Sequence, residues 1–190
     1  MNEIVPHRMT VEEYLVWAHG RPGRWELVDG RPIRMSPETT GHISVKVLVV
    51  IALLDAIEDA GIEAHALGDG ATVRIAERTA FEPDALVYSG PALDSKDMVV
   101  PEPIIVVEVV SPSSGGRDSS VKLDGYFRVP SLRHYLIVDG DDRTVIHHTR
   151  SSTARDTGAP LETRILYESD TLHLDPPGIS IAVRRFFSRR

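Results

Sequence analysis

Glu108 stands alone in Ile104-Ile105-Val106-Val107-Glu108-Val109-Val110, the one ionisable side chain of a mostly β-branched run that reads as a strand buried on both faces. A carboxylate taken out of water without a partner costs several kcal/mol, so the position calls for neutralisation, an ion pair or a metal ion. Strand side chains alternate, which puts Ile104, Val106 and Val110 on the face of Glu108, and none of these can supply a proton or a positive charge. The partner must come from elsewhere in the chain or from solution.

Pro83-Asp84 opens the preceding strand segment, Ala85-Leu86-Val87-Tyr88. If the two strands pair, both carboxylates reach one point. Two carboxylates and one backbone carbonyl, that of Val109, suit magnesium, with manganese as the substitute, because magnesium takes a few protein oxygens and keeps waters for a phosphate-bearing substrate. An aspartate at a strand start is also a common turn residue. Lys122 lies on the helix that follows and borders its apolar stripe, so its amine can reach back to the sheet. The competing use is a surface pair with Asp118, spaced i, i+4. Glu26 is a third candidate acid. Its strand neighbours Trp25 and Leu27 point the other way, so alternation alone does not require its burial.

Other chemistries find little support. There is no cysteine, hence no disulfide, thiolate nucleophile or Cys-held zinc, which fits a reducing cytosol. The eight histidines are dispersed, His147-His148 point to opposite faces of a strand, and no His-Glu-x-x-His spacing occurs. Gly115-Gly116 lacks the flanks of a phosphate loop, and no Gly-x-Ser-x-Gly elbow is present.

The elements that must position these groups can be read in outline. Thr10-Val11-Glu12-Glu13 is a capping box opening a helix over 10–19. Asp29-Gly30 joins strands 25–28 and 31–35 in a tight hairpin, with Pro32 marking an edge. A helix over 42–60, apolar almost all round and closed by Gly61, must bury itself in the core or against a second subunit, which points to a homodimer. Strands follow at 62–67, 71–76, 84–88 and 104–110, then a Ser-Pro turn at 111–116 and a helix over 118–128 with Leu123, Tyr126 and Phe127 as its stripe. Strands 135–138 and 144–147 flank a four-residue loop; 151–160 reads as an exposed loop, and short strands close the chain near 164–167 and 179–183. This order implies an α/β domain with a mixed sheet, one domain over residues 1–190.

Composition agrees with a globular chain: 42% of residues are hydrophobic and 26% charged, far from a disordered composition. The N-terminus lacks a signal-like apolar core, and the apolar run Val47–Leu54 is too short to span a bilayer, so a cytoplasmic protein without a membrane partner is expected. A net charge of −7 argues against a polybasic binder but leaves room for phosphate contacts through metal ions and local basic patches. Candidate patches are Arg21/Arg24/Arg31/Arg34 and Arg184, Arg185, Arg189 and Arg190, each equally readable as scattered arginines.

Taken in order, Trp25-Glu26-Leu27-Val28-Asp29-Gly30, Met35-Ser36-Pro37, His42, Pro83-Asp84, Val107-Glu108-Val109-Val110-Ser111-Pro112-Ser113, Arg117-Asp118, Lys122, Tyr126 and Tyr135-Leu136-Ile137-Val138-Asp139 resemble the Uma-two family of restriction-endonuclease-like proteins, over roughly residues 8–186. That family belongs to the PD-(D/E)XK nuclease superfamily. The resemblance implies a restriction-endonuclease-like mixed β-sheet flanked by α-helices, Asp84 and Glu108 as metal-binding acids, and Glu26 as a further active-site acid. Two residues after Glu108 stands Val110, where the superfamily motif has lysine; the resemblance puts that lysine on the next helix, as Lys122. The implied activity is metal-dependent hydrolysis of phosphodiester bonds in DNA. The alternative is a nuclease-fold module that binds nucleic acid or a protein partner without cleaving.

Overall fold

The run around Glu108 forms the longest strand of a six-stranded mixed sheet, with strand order β10-β9-β8-β7-β6-β3. The computed structural model describes residues 8–110, 117–150 and 161–189, with side chains from 120 onward in the second segment. The Ser-Pro turn at 111–116, the loop at 151–160, Arg190 and the Asp118 side chain lie outside the described residues.

The central strands β6 (Ala85–Ser89), β7 (Pro103–Val110) and β8 (His134–Asp139) pair antiparallel and then parallel, with Ala85 opposite Val107 and Val107 opposite Leu136. Among the described strands of this sheet only β7 and β8 are parallel, because the chain between them crosses over through α3 (Arg117–Tyr126). β9 (Thr144–Arg150), β10 (Leu161–Tyr167) and β3 (Ala64–Gly68) complete the sheet. The β6/β7 pairing slips between Val87 opposite Ile105 and Tyr88 opposite Pro103. This bulge corrects one expectation from strict alternation: Ile104 packs with the core on the far side of the sheet, while Val106 and Val110 remain with the cluster containing Tyr126.

Each face of the sheet is covered. On one side lies α2 (Thr40–Ala60), with the hairpin of β11 (Thr171–Leu174) and β12 (Ile179–Ala182) and the 3-10 turn Val183–Phe186. Thr39 caps α2 by accepting from the His42 N–H, and Gly61, at φ 61°, closes it in the left-handed conformation. Val49, Leu53, Ala56 and Ile57 are its buried face, whereas Ile43, Val47 and Leu54 are 47%, 52% and 47% exposed. The helix is therefore core on one side only. By length and composition, at mean hydropathy 1.8, it is also long and apolar enough to cross a bilayer, a test that Val47–Leu54 alone fails.

On this same side His134 and His147 form a buried pair, with Nδ1 of His134 3.0 Å from Nε2 of His147. Nε2 of His134 lies 2.9 Å from the carbonyl of Pro176, which can only accept, so His134 carries its proton on Nε2 and His147 donates to it. Burial pushes both imidazoles down to about 4. His148 points to the other face and stacks on Tyr135, as alternation requires.

The second face is covered by α3 and the turn after it, where Tyr126, Phe127, Val129 and Leu132 meet Val106, Tyr135 and Ile137. Beside it lies a four-stranded sheet in the order β2-β1-β5-β4, from β1 (Trp25–Val28), β2 (Arg31–Arg34), β4 (Val73–Ala76) and β5 (Thr79–Phe81). α1 (Val11–Ala18), with the Thr10/Glu13 capping box, packs Val11 and Tyr14 on this sheet. The strands β5 and β11, four residues or fewer, are not among those the sequence pattern predicts.

Candidate active site

Paired strands bring the two acids together. One residue beyond the Ala85/Val107 pair stand Asp84 and Glu108, both buried, at the end of the sheet from which α3 departs. Glu26, Asp84, Glu108, Val109 and Lys122 all line one cleft of about 420 Å³, with Tyr135 and His42 on its walls and the β1–β2 hairpin and the 35–39 connection at its rim.

Lys122 answers the question posed by Glu108. Its Nζ donates to Glu108 Oε1 at 2.9 Å and lies 3.1 Å from Glu26 Oε1. The lysine is buried; its alternative pairing with Asp118 falls outside the described residues. Position 122, four residues before Tyr126, puts both side chains on the helix face that looks onto β7. Tyr126 donates its hydroxyl to the same Oε1 at 2.6 Å. Among the described residues Glu108 Oε2 has no hydrogen-bonding partner, which leaves it for a ligand in the cleft. Burial raises the Glu108 carboxyl to about 7, against the pull of Lys122 and the Tyr126 bond and with help from Asp84 and Glu26. The Tyr126 hydroxyl is pushed well above its ordinary range by burial and by Glu108, so it stays a donor.

Glu26 is buried too, which alternation did not require: Oε1 also accepts from the Glu82 backbone N–H at 3.0 Å. Asp84 is fixed by different partners. Oδ2 accepts from the Val109 N–H at 2.7 Å, and Oδ1 sits 2.7 Å from Lys46 Nζ. The Val109 carbonyl accepts from His42 Nε2 at 2.7 Å. Both halves of the Val109 peptide are thus held by site residues, and the carbonyl keeps a second lone pair.

Lys46 was missed in the sequence. It is buried on α2 and bonds Glu38 Oε1 at 2.8 Å and Asp69 Oδ2 at 2.8 Å besides Asp84. Burial alone would lower its amine, but the bonds from Asp69, Asp84 and Glu38 outweigh that and raise it. Arg24 joins the cluster at 2.9 Å from Glu38 and 3.0 Å from Asp69. That commits Arg24 to acids and removes it from the candidate basic patch with Arg21, Arg31 and Arg34. In the C-terminal group Arg185 pairs with Asp55. The signal for Lys46 was present: a lone charge in the run Ile43-Ser44-Val45-Lys46-Val47-Leu48 is as anomalous as Glu108 in its strand. Glu38 and Asp69 lie in connections and carry no such signal.

The donor set fits a divalent cation. Asp84, Glu108 and the Val109 carbonyl are hard oxygens at one end of a water-accessible cleft, and among the described residues the hydrogen bonds to Glu108 fall on Oε1. Burial, aided by the neighbouring Asp84 and Glu26, is what raises the Glu108 carboxyl, and a cation in the cleft would lower it again.

Comparison with known proteins places these features in context. Residues 11–184 match the model of a family described as "Uma2: Putative restriction endonuclease". The uncharacterized protein slr1290 of Synechocystis sp. is 26% identical over 180 residues, covering 93% of this chain and 90% of that protein. The uncharacterized protein sll1609 of the same organism is 32% identical over 72 residues, 37% of this chain and 41% of the relative. The fold matches a crystal structure from Anabaena variabilis, described as a putative nuclease belonging to DUF820, at a TM-score of 0.68 and 14% identity over 94% of this chain and 97% of the other.

Proposed function

The chain belongs to the Uma2 family, and from that membership we propose that it is a divalent-metal-dependent endonuclease hydrolysing phosphodiester bonds in DNA. The observation that carries the reading is the convergence of Asp84, Glu108, Val109, Lys122 and Glu26 on one cleft. Asp84, Glu108 and the Val109 carbonyl would hold magnesium, or manganese in its place, whose chemistry there is to acidify a water and offset charge on the scissile phosphate.

The residues of the chain do the rest. Lys122, fixed between Glu26 and Glu108, keeps a positive charge where the phosphate gains negative charge, and can orient the attacking water. Tyr126 holds Glu108 in place through Oε1 and leaves Oε2 for the ion. His42 fixes the Val109 peptide, and with it the N–H that orients Asp84. Supercoiled plasmid DNA incubated with Mg²⁺ should be nicked by the wild-type chain. Asp84→Ala and Glu108→Ala should lose this activity by orders of magnitude while circular dichroism shows the fold retained; unchanged cleavage would contradict the assignment.

One observation favours a second reading, a nuclease-fold module that binds nucleic acid or a protein without cleaving: both oxygens of Asp84 are already engaged. Such a module would bind DNA with no dependence on Mg²⁺ and leave it intact. We also propose a homodimer through the exposed α2 stripe of Ile43, Val47 and Leu54, since two sites related by symmetry can act on two strands. Light scattering that finds a strict monomer would remove that part.

A further inference from the structure

Three carboxylates converge on Lys46 from three separate segments. Glu38 lies before α2, Asp69 in the turn after β3, and Asp84 at the start of β6, and one oxygen from each falls within 4.8 Å of the others. The ammonium sits among them at 2.8, 2.8 and 2.7 Å respectively. Hard oxygens in that number and closeness are the ligands a divalent ion takes, and the lysine amine stands where such an ion would be. Asp84 belongs both to this cluster and to the cleft with Glu108. A carboxylate shared in this way is how two-metal phosphodiesterase sites hold ions about 3.5–4 Å apart.

We propose that Lys46 is a tethered substitute for a second metal ion, restricting the site to one divalent cation. The inference rests on the metal reading of the cleft. An ammonium on a buried stem cannot exchange with solution ions unless the side chain leaves the core, so the place among the carboxylates stays filled at any metal concentration the cleft meets. It also holds Asp84 in one orientation before the cleft is loaded. An ion pair with a purely structural role would make no difference to the number of ions bound.

The test is a count of Mn²⁺ by electron paramagnetic resonance on the full chain, with Lys46→Met, which keeps the length of the side chain and removes its charge, and Lys46→Arg, which keeps the charge. The wild type and Lys46→Arg should bind one ion, and Lys46→Met two. Two ions on the wild type, or one on Lys46→Met, would overturn the inference and leave the metal reading standing. No ion on any of the three removes the metal reading and the inference with it. Should Lys46→Met fail to fold, Lys46→Gln carries the same expectation of two ions.

Discussion

Lys122 and Lys46 are buried to nearly the same degree, 6% and 4% exposed, and each holds one of the two acids assigned to the metal. They differ in what surrounds them. Lys122 lies between Glu108 and Glu26 at the wall of the cleft, with Tyr126 bonded to the same carboxylate and the Phe81 ring 5.9 Å away. Lys46 sits among three carboxylates and near Arg24, and one of those acids, Asp69, is 42% exposed. In each cluster the acids outnumber the cations by one; the first opens only onto the cleft, whereas the second also reaches bulk water through Asp69. A carboxylate left without its cation therefore has a route to bulk water in the second cluster, through Asp69, and only the cleft in the first.

The largest effect that follows is on stability. Lys122→Met leaves Glu108 and Glu26 buried against each other, and removal of one partner from such a pair costs about 3–5 kcal/mol. Lys46→Met should cost less, about 1–3 kcal/mol, because Asp69 and Glu38 can turn toward solvent. Urea midpoints of the two variants check the order, and equal losses would break the comparison.

Next comes a contrast with a cluster that carries no charge at all. His134 and His147 have folded-state values near 4 against an ordinary 6.5, so between those limits the unfolded chain binds more protons than the folded one. Their contribution is complete above pH 6.5 and is lost as pH falls toward 4, roughly 2–3 kcal/mol for the pair once their mutual coupling is discounted. The difference between wild type and His147→Gln in urea unfolding at pH 7 and pH 5 should show this loss, because Glu108, with its carboxyl at about 7, contributes the opposite trend to both chains alike, and Mn²⁺ should leave that difference unchanged. A metal-dependent loss would mean that the two faces of the sheet are not independent. The smallest expected effect is Tyr126→Phe, about 1–2 kcal/mol of stability from one charge-assisted hydrogen bond. It should also slow cleavage modestly, through a looser Glu108 and not through lost metal binding.

Legibility in the sequence followed the same division. Glu108 was readable because a lone acid in a β-branched strand has no apolar explanation, and Lys122 because the strand offered no amine of its own and the family resemblance pointed to the next helix. Lys46 poses the mirror-image problem on α2, yet a helical lysine can extend its stem to water, so its burial is not implied by the pattern. Glu38 and Asp69 come from connections, where acids are ordinary, and only tertiary structure brings them to Lys46. In the fold, the long periodic segments were clear. The short strands β5 and β11 were not, because three or four residues are too few to show alternation, and the bulge beside Ile104 arises from strand pairing and not from local pattern.

The proposed nuclease function requires that Asp84 and Glu108 form a divalent-metal site in this cleft. Calorimetric titration of Mn²⁺ into the wild type and into Glu108→Gln tests it most directly, since the substitution keeps the size of the side chain and removes its charge. Saturable binding to the wild type that weakens at least tenfold in Glu108→Gln is the predicted result; binding of equal strength to both chains, or to neither, would contradict the account.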